Sequence, residues 1–488
     1  MLVLCDNSPD ASRCRFLVLT KKTCLTEGSV WKGLISFAVP IMLSNFFQQL
    51  YNTVDSAVAG RFAGSEALAA VGSTGALLNL FIGFFLGIST GTGVVFATAY
   101  GAKDERRLKM TMDTALILSF FAGVFLTVFG IIWSRDMLEL MDSPADVIDQ
   151  ATSYLRVYFS GSVFMMIYNI GAGIIQASGD SKRPLIYLVI SGILNVICDI
   201  ICVAGLGMGA AGAALATVFS QFIAAGLIVA HLMRVPEGWR LRPLKMKYDG
   251  PTARKITKLA VPSGLQSCMF ALSNILIQAK INAFGSVAMA GTAAYGRLDG
   301  FGYMPTQALG LSISTFVSQN IGAGNFKRLK IGVRVTLVYM LCSSLAVTSL
   351  IILFSRPLLG LFTDNPSVAE YGLMMMWRLA PFAVIFAMSE MLAGAVRGAG
   401  KVIPPTIIYA CAICVFRIIW ITVLLPIYPD IRLVFWCYPV SWSVCAVCML
   451  IYFIKGGWRP VQAPGGVRSR LPLRAAADKP ERRDRHAS

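Results

Sequence analysis

The chain says the same thing twice. Ala38-Val39-Pro40 returns as Ala260-Val261-Pro262, and Gly101-Ala102 with Arg107-Leu108-Lys109 returns as Gly322-Ala323 with Arg328-Leu329-Lys330. Asp142-x-Pro144 returns as Asp364-x-Pro366, and Gly179 with Pro184 returns as Gly400 with Pro405. These anchors keep one order at offsets of 221 or 222 residues, the mark of a tandem duplication. Each copy must therefore fold as a like unit. In helical membrane proteins such repeats belong to transporters, with the binding site between the halves.

Composition places both copies in a bilayer. The 488 residues are 56% hydrophobic and only 14% charged, where a soluble chain carries about 25% charged residues. A spanning helix needs about 20 apolar residues. Twelve such stretches are predicted, centred near residues 45, 83, 122, 164, 194, 221, 269, 305, 343, 382, 415 and 443. Six fall in each copy, and an even number makes both copies enter from the same side, as parallel repeats. The reading is an all-α integral membrane protein of two six-helix bundles, 26–232 and 254–456. A linker at 233–253 joins them, and tails at 1–25 and 457–488 flank them.

The net charge of +18 suggests nucleic acid, but its placement excludes that reading. Residues 231–258 hold eight Lys/Arg against two acids, and the loops around Lys103–Lys109 and Lys327–Arg334 are basic too. The loop 134–150 of the other phase carries Asp136, Glu139, Asp142, Asp146 and Asp149 against Arg135 alone. This alternation predicts that both termini and the linker are cytoplasmic, in a plasma membrane. The basic C-terminal tail suits contact with anionic membrane lipid.

Other chemistries find no footing. Most of the twelve cysteines lie within spans, so Cys411/Cys414 and Cys445/Cys448 read as small packing residues rather than metal ligands. His231 and His486 stand at or beyond the cytoplasmic edges, so no histidine proton relay or zinc site is expected. No phosphate-binding Walker sequence occurs, so energy from nucleotide hydrolysis would need another subunit; neither enzymatic activity nor a cofactor is expected.

What remains is ionisable groups inside the membrane, which are costly and therefore functional candidates. Asp55 closes a polar stripe with Gln48, Tyr51 and Asn52 on one face of the first span. Asp199 has Asn195 one turn earlier, and Thr217 of the sixth span adds a hydroxyl; such hard oxygens suit Na⁺ or an exchanging proton. Pro40 either kinks the first span or opens it as a first-turn proline. The second copy differs: Ile277 stands at the offset of Asp55, and Trp420 or a neighbour at that of Asp199. Its own charges are Lys280, Arg297, Asp299, Glu390 and Arg417, read as ion pairs Arg297–Asp299 and Glu390–Arg417.

The stretches Phe47–Asp55, Gly60-Arg61-Phe62, Leu68–Gly72, Gly179–Pro184, Ala216-Thr217, Gln319–Ala323 and Arg397–Lys401 resemble bacterial multidrug and toxic compound extrusion (MATE) transporters. The resemblance runs from about Leu25 to Trp458. It implies a V-shaped molecule of two bundles, working as a monomer, that exports organic cations in exchange for Na⁺ or H⁺. By position it implies Asp55, Asn195, Asp199 and Thr217 for the coupling ion, with Gln48, Tyr51 and, more weakly, Asn169 lining the cavity. Phe164, Met165, Met166 and Tyr168 would suit flat cations. The chain departs from some members at Ser263–Cys268, where no glutamate stands. The alternative is a lipid-linked oligosaccharide flippase of similar fold, using Lys280, Arg297 and Arg417 to hold a pyrophosphate.

Overall fold

The computed structural model describes residues 25–458 except 63, 142–146, 236–237 and 364. Residues 1–24 and 459–488 and the anchors Asp142, Pro144 and Asp364 lie outside the described residues. The first copy forms α1 Val30–Phe62, α2 Gly64–Gly101, α3 Glu105–Leu140, α4 Ile148–Ser160, α5 Ser162–Ala177, α6 Lys182–Asp199 and α7 Gly209–Arg234. The second forms α8 Gly250–Asn282, α9 Ser286–Gly322, α10 Phe326–Leu353, α11 Ser355–Gly360, α12 Pro366–Leu379, α13 Ala383–Gly398, α14 Ile403–Tyr409, α15 Phe416–Leu424 and α16 Ile431–Tyr452. Asp104, Asp249, Asn365 and Asp430 cap α3, α8, α12 and α16 by accepting from early backbone amides. Among the described residues ten helical runs are long and apolar enough to span a membrane, and α4 with α5, bent by 50°, makes an eleventh. The twelfth is α9, whose 37 residues carry too many polar side chains to pass on composition alone. The outer face of α3, from Phe120 and Phe121 to Ile132 and Trp133, is exposed and apolar, as lipid requires.

The repeated anchors each have a physical reason. Gly179 and Gly400 adopt positive φ (90° and 79°) in equivalent turns, a conformation that glycine takes without strain. Pro40 and Pro262 lie well inside α1 and α8, so the first-turn reading of Pro40 is wrong. Gly101 and Gly322 face the opposite bundle so closely that a Cβ would sit 1.9 Å from the Gln319 carbonyl oxygen and 2.0 Å from that of Thr98.

These glycines close one end of the molecule. Along α2, Gly83, Gly87 and Gly91 meet Ser267, Gly264 and Ala260 of α8, an antiparallel seam of small residues that lets backbones touch. Gln319 donates across the seam to the Ala177 carbonyl at 2.7 Å. Nearer the start of α2, Gly72 and Gly75 have nothing within 4 Å of where a Cβ would be. The bundles thus join at the end bearing the basic loops and part at the other, the V shape. One helix belongs to both: Leu34, Phe37 and Ile41 of α1 pack with Ile313 and Phe316 of α9, whereas its later half packs on α6.

Candidate functional site

The later half of α1 carries Asp55 into the first bundle, against α6 and α7. Asp55, Asn195, Asp199 and Thr217 are all buried. The carboxyl groups of Asp55 and Asp199 lie within interaction distance of each other. No basic side chain among the described residues forms an ion pair with either. Asp55 Oδ1, both Asp199 oxygens and both polar atoms of Asn195 are buried without a hydrogen-bond partner. Unpaired burial of that kind is expensive, and a bound cation or shared proton would relieve it. Thr217 donates its hydroxyl to the Ala213 carbonyl at 3.1 Å, which leaves its oxygen lone pairs free to face an ion. Directly after Asp199 the helix widens into a π-helical turn, Ile200–Gly205, a distortion that recurs at functional sites.

The other predicted residues divide. Tyr51 interacts with Gln221 and stands in the field of both carboxylates. Gln48 is half-buried and Asn52 exposed on the same helix. Asn169 donates its side-chain amide to the Met165 carbonyl at 2.8 Å. Met165 and Met166 are buried in the core of the first bundle, and Phe164 packs on Phe222. The structure adds Tyr154, Tyr158 and Gln221, which surround Tyr51 and the acids. A signal for Gln221 existed, one turn after Thr217, and Tyr154 and Tyr158 share the same spacing.

Both expected ion pairs of the second copy are corrected. Glu390 binds Arg397 at 2.9 Å, not Arg417. Seven residues is two helical turns, so the pair shares one face of α13. Asp299 accepts from the Tyr295 hydroxyl at 3.3 Å, while Arg297 is exposed, its guanidinium 6.0 Å from the Phe362 ring. Asp299 and Arg297 are two residues apart and so point to different sides of α9. Lys280 is exposed at the end of α8, so Lys280, Arg297 and Arg417 have separate surroundings.

Two six-helix bundles with a buried acid pair in one of them define a class, a duplicated membrane transporter. The MatE family model matches residues 40–201 and again 262–423, two windows that begin 222 residues apart, and the chain belongs to this family. It is 33% identical over 415 residues to the "Probable multidrug resistance protein YoeA" of Bacillus subtilis, covering 81% of this chain and 87% of that protein. It is 24% identical to the "Probable multidrug resistance protein NorM" of Thermotoga maritima, over 88% and 93% of the two chains. A solved "outward-facing conformation of a multidrug resistance MATE family transporter" shares the fold, with a TM-score of 0.82 at 23% identity over 89% and 98% of the chains.

Proposed function

We propose that this chain is a secondary active antiporter that exports organic cations across the plasma membrane as Na⁺ or H⁺ enters. The observation that carries the reading is the pair Asp55–Asp199, buried together with no basic partner and with orphaned oxygens beside the orphaned Asn195 amide. Two carboxylates in one low-dielectric site hold a cation or a proton, and a drug cation competes for the same charge. The relatives named multidrug resistance proteins support the substrate class.

The open end of the V lies opposite the basic loops, so with those loops in the cytoplasm the conformation faces outward. Ion entry neutralises the acids and releases the drug; the loaded protein then turns inward, where a cytoplasmic drug displaces the ion. Each inward charge gains about 2.3 kcal/mol per 100 mV. The test is efflux of ethidium from vesicles holding the purified protein, with Na⁺ and pH gradients imposed separately. One gradient alone should drive export. Robust export of an anionic dye with none of ethidium would instead favour the flippase.

A further inference from the structure

The second bundle buries a charge with no opposite charge beside it. Arg417, in the first turn of α15, is only 1% exposed. Its Nε donates to Ser441 Oγ at 2.8 Å and its Nη1 to Asn274 Oδ1 at 3.3 Å. The guanidinium carbon stands 4.4 Å from the centre of the Tyr438 ring, a cation–π contact. Its Nη2 is buried with no hydrogen-bond partner at all. Among the described residues no carboxylate forms an ion pair with it; the nearby candidates are engaged elsewhere, Glu390 with Arg397 and Asp299 with Tyr295.

Its position in the repeat explains the arrangement. At Gly179/Gly400 and Pro184/Pro405 the copies stand 221 residues apart. A π-helical turn at Ala410–Val415 adds one residue to the second copy, so beyond it counterparts stand 222 apart. Arg417 then replaces Asn195, and Ile421 replaces Asp199. The first copy inserts its own π-helical turn at Ile200–Gly205, and beyond it Tyr438 stands within one residue of the position that answers Thr217. On the first helix of each copy Asn274 answers Asn52 and Ile277 answers Asp55. The ion site thus exists twice with its polarity reversed: carboxylates without a cation in one bundle, a guanidinium without an anion in the other.

Packing alone does not account for this. Hydrophobic side chains fill such a position at no charge cost, and a buried guanidinium with an empty donor is among the most expensive groups a helix bundle can hold. We propose that the Arg417 site receives an anionic group accepting from Nη2, so that the protein carries amphoteric compounds, cationic end in the first bundle and anionic end in the second. The group is the carboxylate of the substrate or a small free anion, which share this chemistry. The proposal rests on the reading of the chain as an exporter of organic compounds, but its test reads binding rather than transport.

The experiment uses the full-length protein in nanodiscs and two dyes differing by one methyl ester: rhodamine 110, with a free carboxylate, and rhodamine 123, its ester. Fluorescence anisotropy gives the affinity of each for the wild type, Arg417→Gln and Arg417→Lys. Thermal unfolding is followed as chloride replaces isethionate at constant ionic strength. Arg417→Gln should weaken rhodamine 110 by roughly tenfold or more, the scale of a lost charged hydrogen bond, and leave rhodamine 123 within about twofold. Arg417→Lys, which keeps the charge but not the fork, should fall between, and it carries the test if the glutamine variant does not fold. Chloride stabilisation that disappears in the variants would identify a free anion and also support the site. If rhodamine 110 and chloride responses are the same with and without Arg417, or if both dyes weaken together, the proposal is overturned. Absence of rhodamine 123 export in vesicles would instead defeat the cation-antiport reading and leave the binding result standing.

Discussion

The two bundles grew from one unit, yet at the same place in each the chemistry differs. In the first bundle Asp55 and Asp199 are buried with orphaned oxygens; in the second Ile277 and Ile421 are buried in an apolar cluster at the same repeat positions. The backbone around them is conserved in kind, with an in-helix proline, a close-approach glycine and a turn glycine in both copies. The difference teaches that the duplication preserves the scaffold while one copy alone keeps the acid pair. The scaffold positions fail when a Cβ or a turn is wrong; the acid positions fail only when charge is changed.

The largest effect expected from breaking this comparison is at the acids. Asp55→Asn and Asp199→Asn keep size and remove the charge over which ion and drug compete in the proposed mechanism. Gradient-driven efflux should fall by roughly tenfold or more for each, the scale of a lost coupling free energy. The protein should remain inserted, because the spans rest on apolar surface that the change does not touch. Efflux and ion-induced thermal stabilisation measured side by side check this, and wild-type efflux in Asp55→Asn would remove the central claim. Next in size is the seam. A Cβ at Gly101 or Gly322 would overlap a carbonyl oxygen of the other bundle, so Gly101→Ala and Gly322→Ala should pry the closed end apart. Label-to-label distances between α2 and α9 measured by electron spin resonance should lengthen, and efflux should drop severalfold while drug binding persists.

Much of this was legible without coordinates, and the failures have physical causes. The duplication, the linker charge and the stripe from Gln48 to Asp55 depend only on order and spacing, which a sequence states directly. The partner of Glu390 does not. Charge type alone allows Arg397 or Arg417, and only the seven-residue spacing on α13 decides for Arg397. Hydropathy places a span near residue 305, and α9 fills it although it carries Gln307, Gln319 and Asn320; bundle packing, with Gln319 and Asn320 bonded to backbone carbonyls, keeps it in place. Gln221 and Tyr154 were missed because they act through neighbours brought together only by the bend at Gly161 and the packing of α1 on α7. Glu390→Gln strands a mostly buried Arg397, so it should lower stability by about 3 kcal/mol in thermal unfolding, yet leave ion-induced stabilisation intact.

The smallest effect, and the one that sharpens the comparison most, is at Thr217. Its hydroxyl hydrogen is already spent on the Ala213 carbonyl, so the oxygen lone pairs are all it can offer an ion. Thr217→Val keeps the β-branched shape and removes only that oxygen. Because the Ala213 carbonyl keeps its helical backbone bond, the fold should lose little. A neutral oxygen ligand contributes about 1 kcal/mol, so apparent ion affinity should fall by about fivefold, against the near-complete loss at the acids. Tyr438 stands within one residue of the equivalent place in the second bundle and faces a guanidinium instead, so Tyr438→Phe should leave ion affinity unchanged. Ion titrations of thermal stability on the two variants separate the bundles by one oxygen atom each. Equal losses in both would mean that the coupling ion is shared between the halves, and the reversed polarity of the two sites would then have to be read as one site split in two.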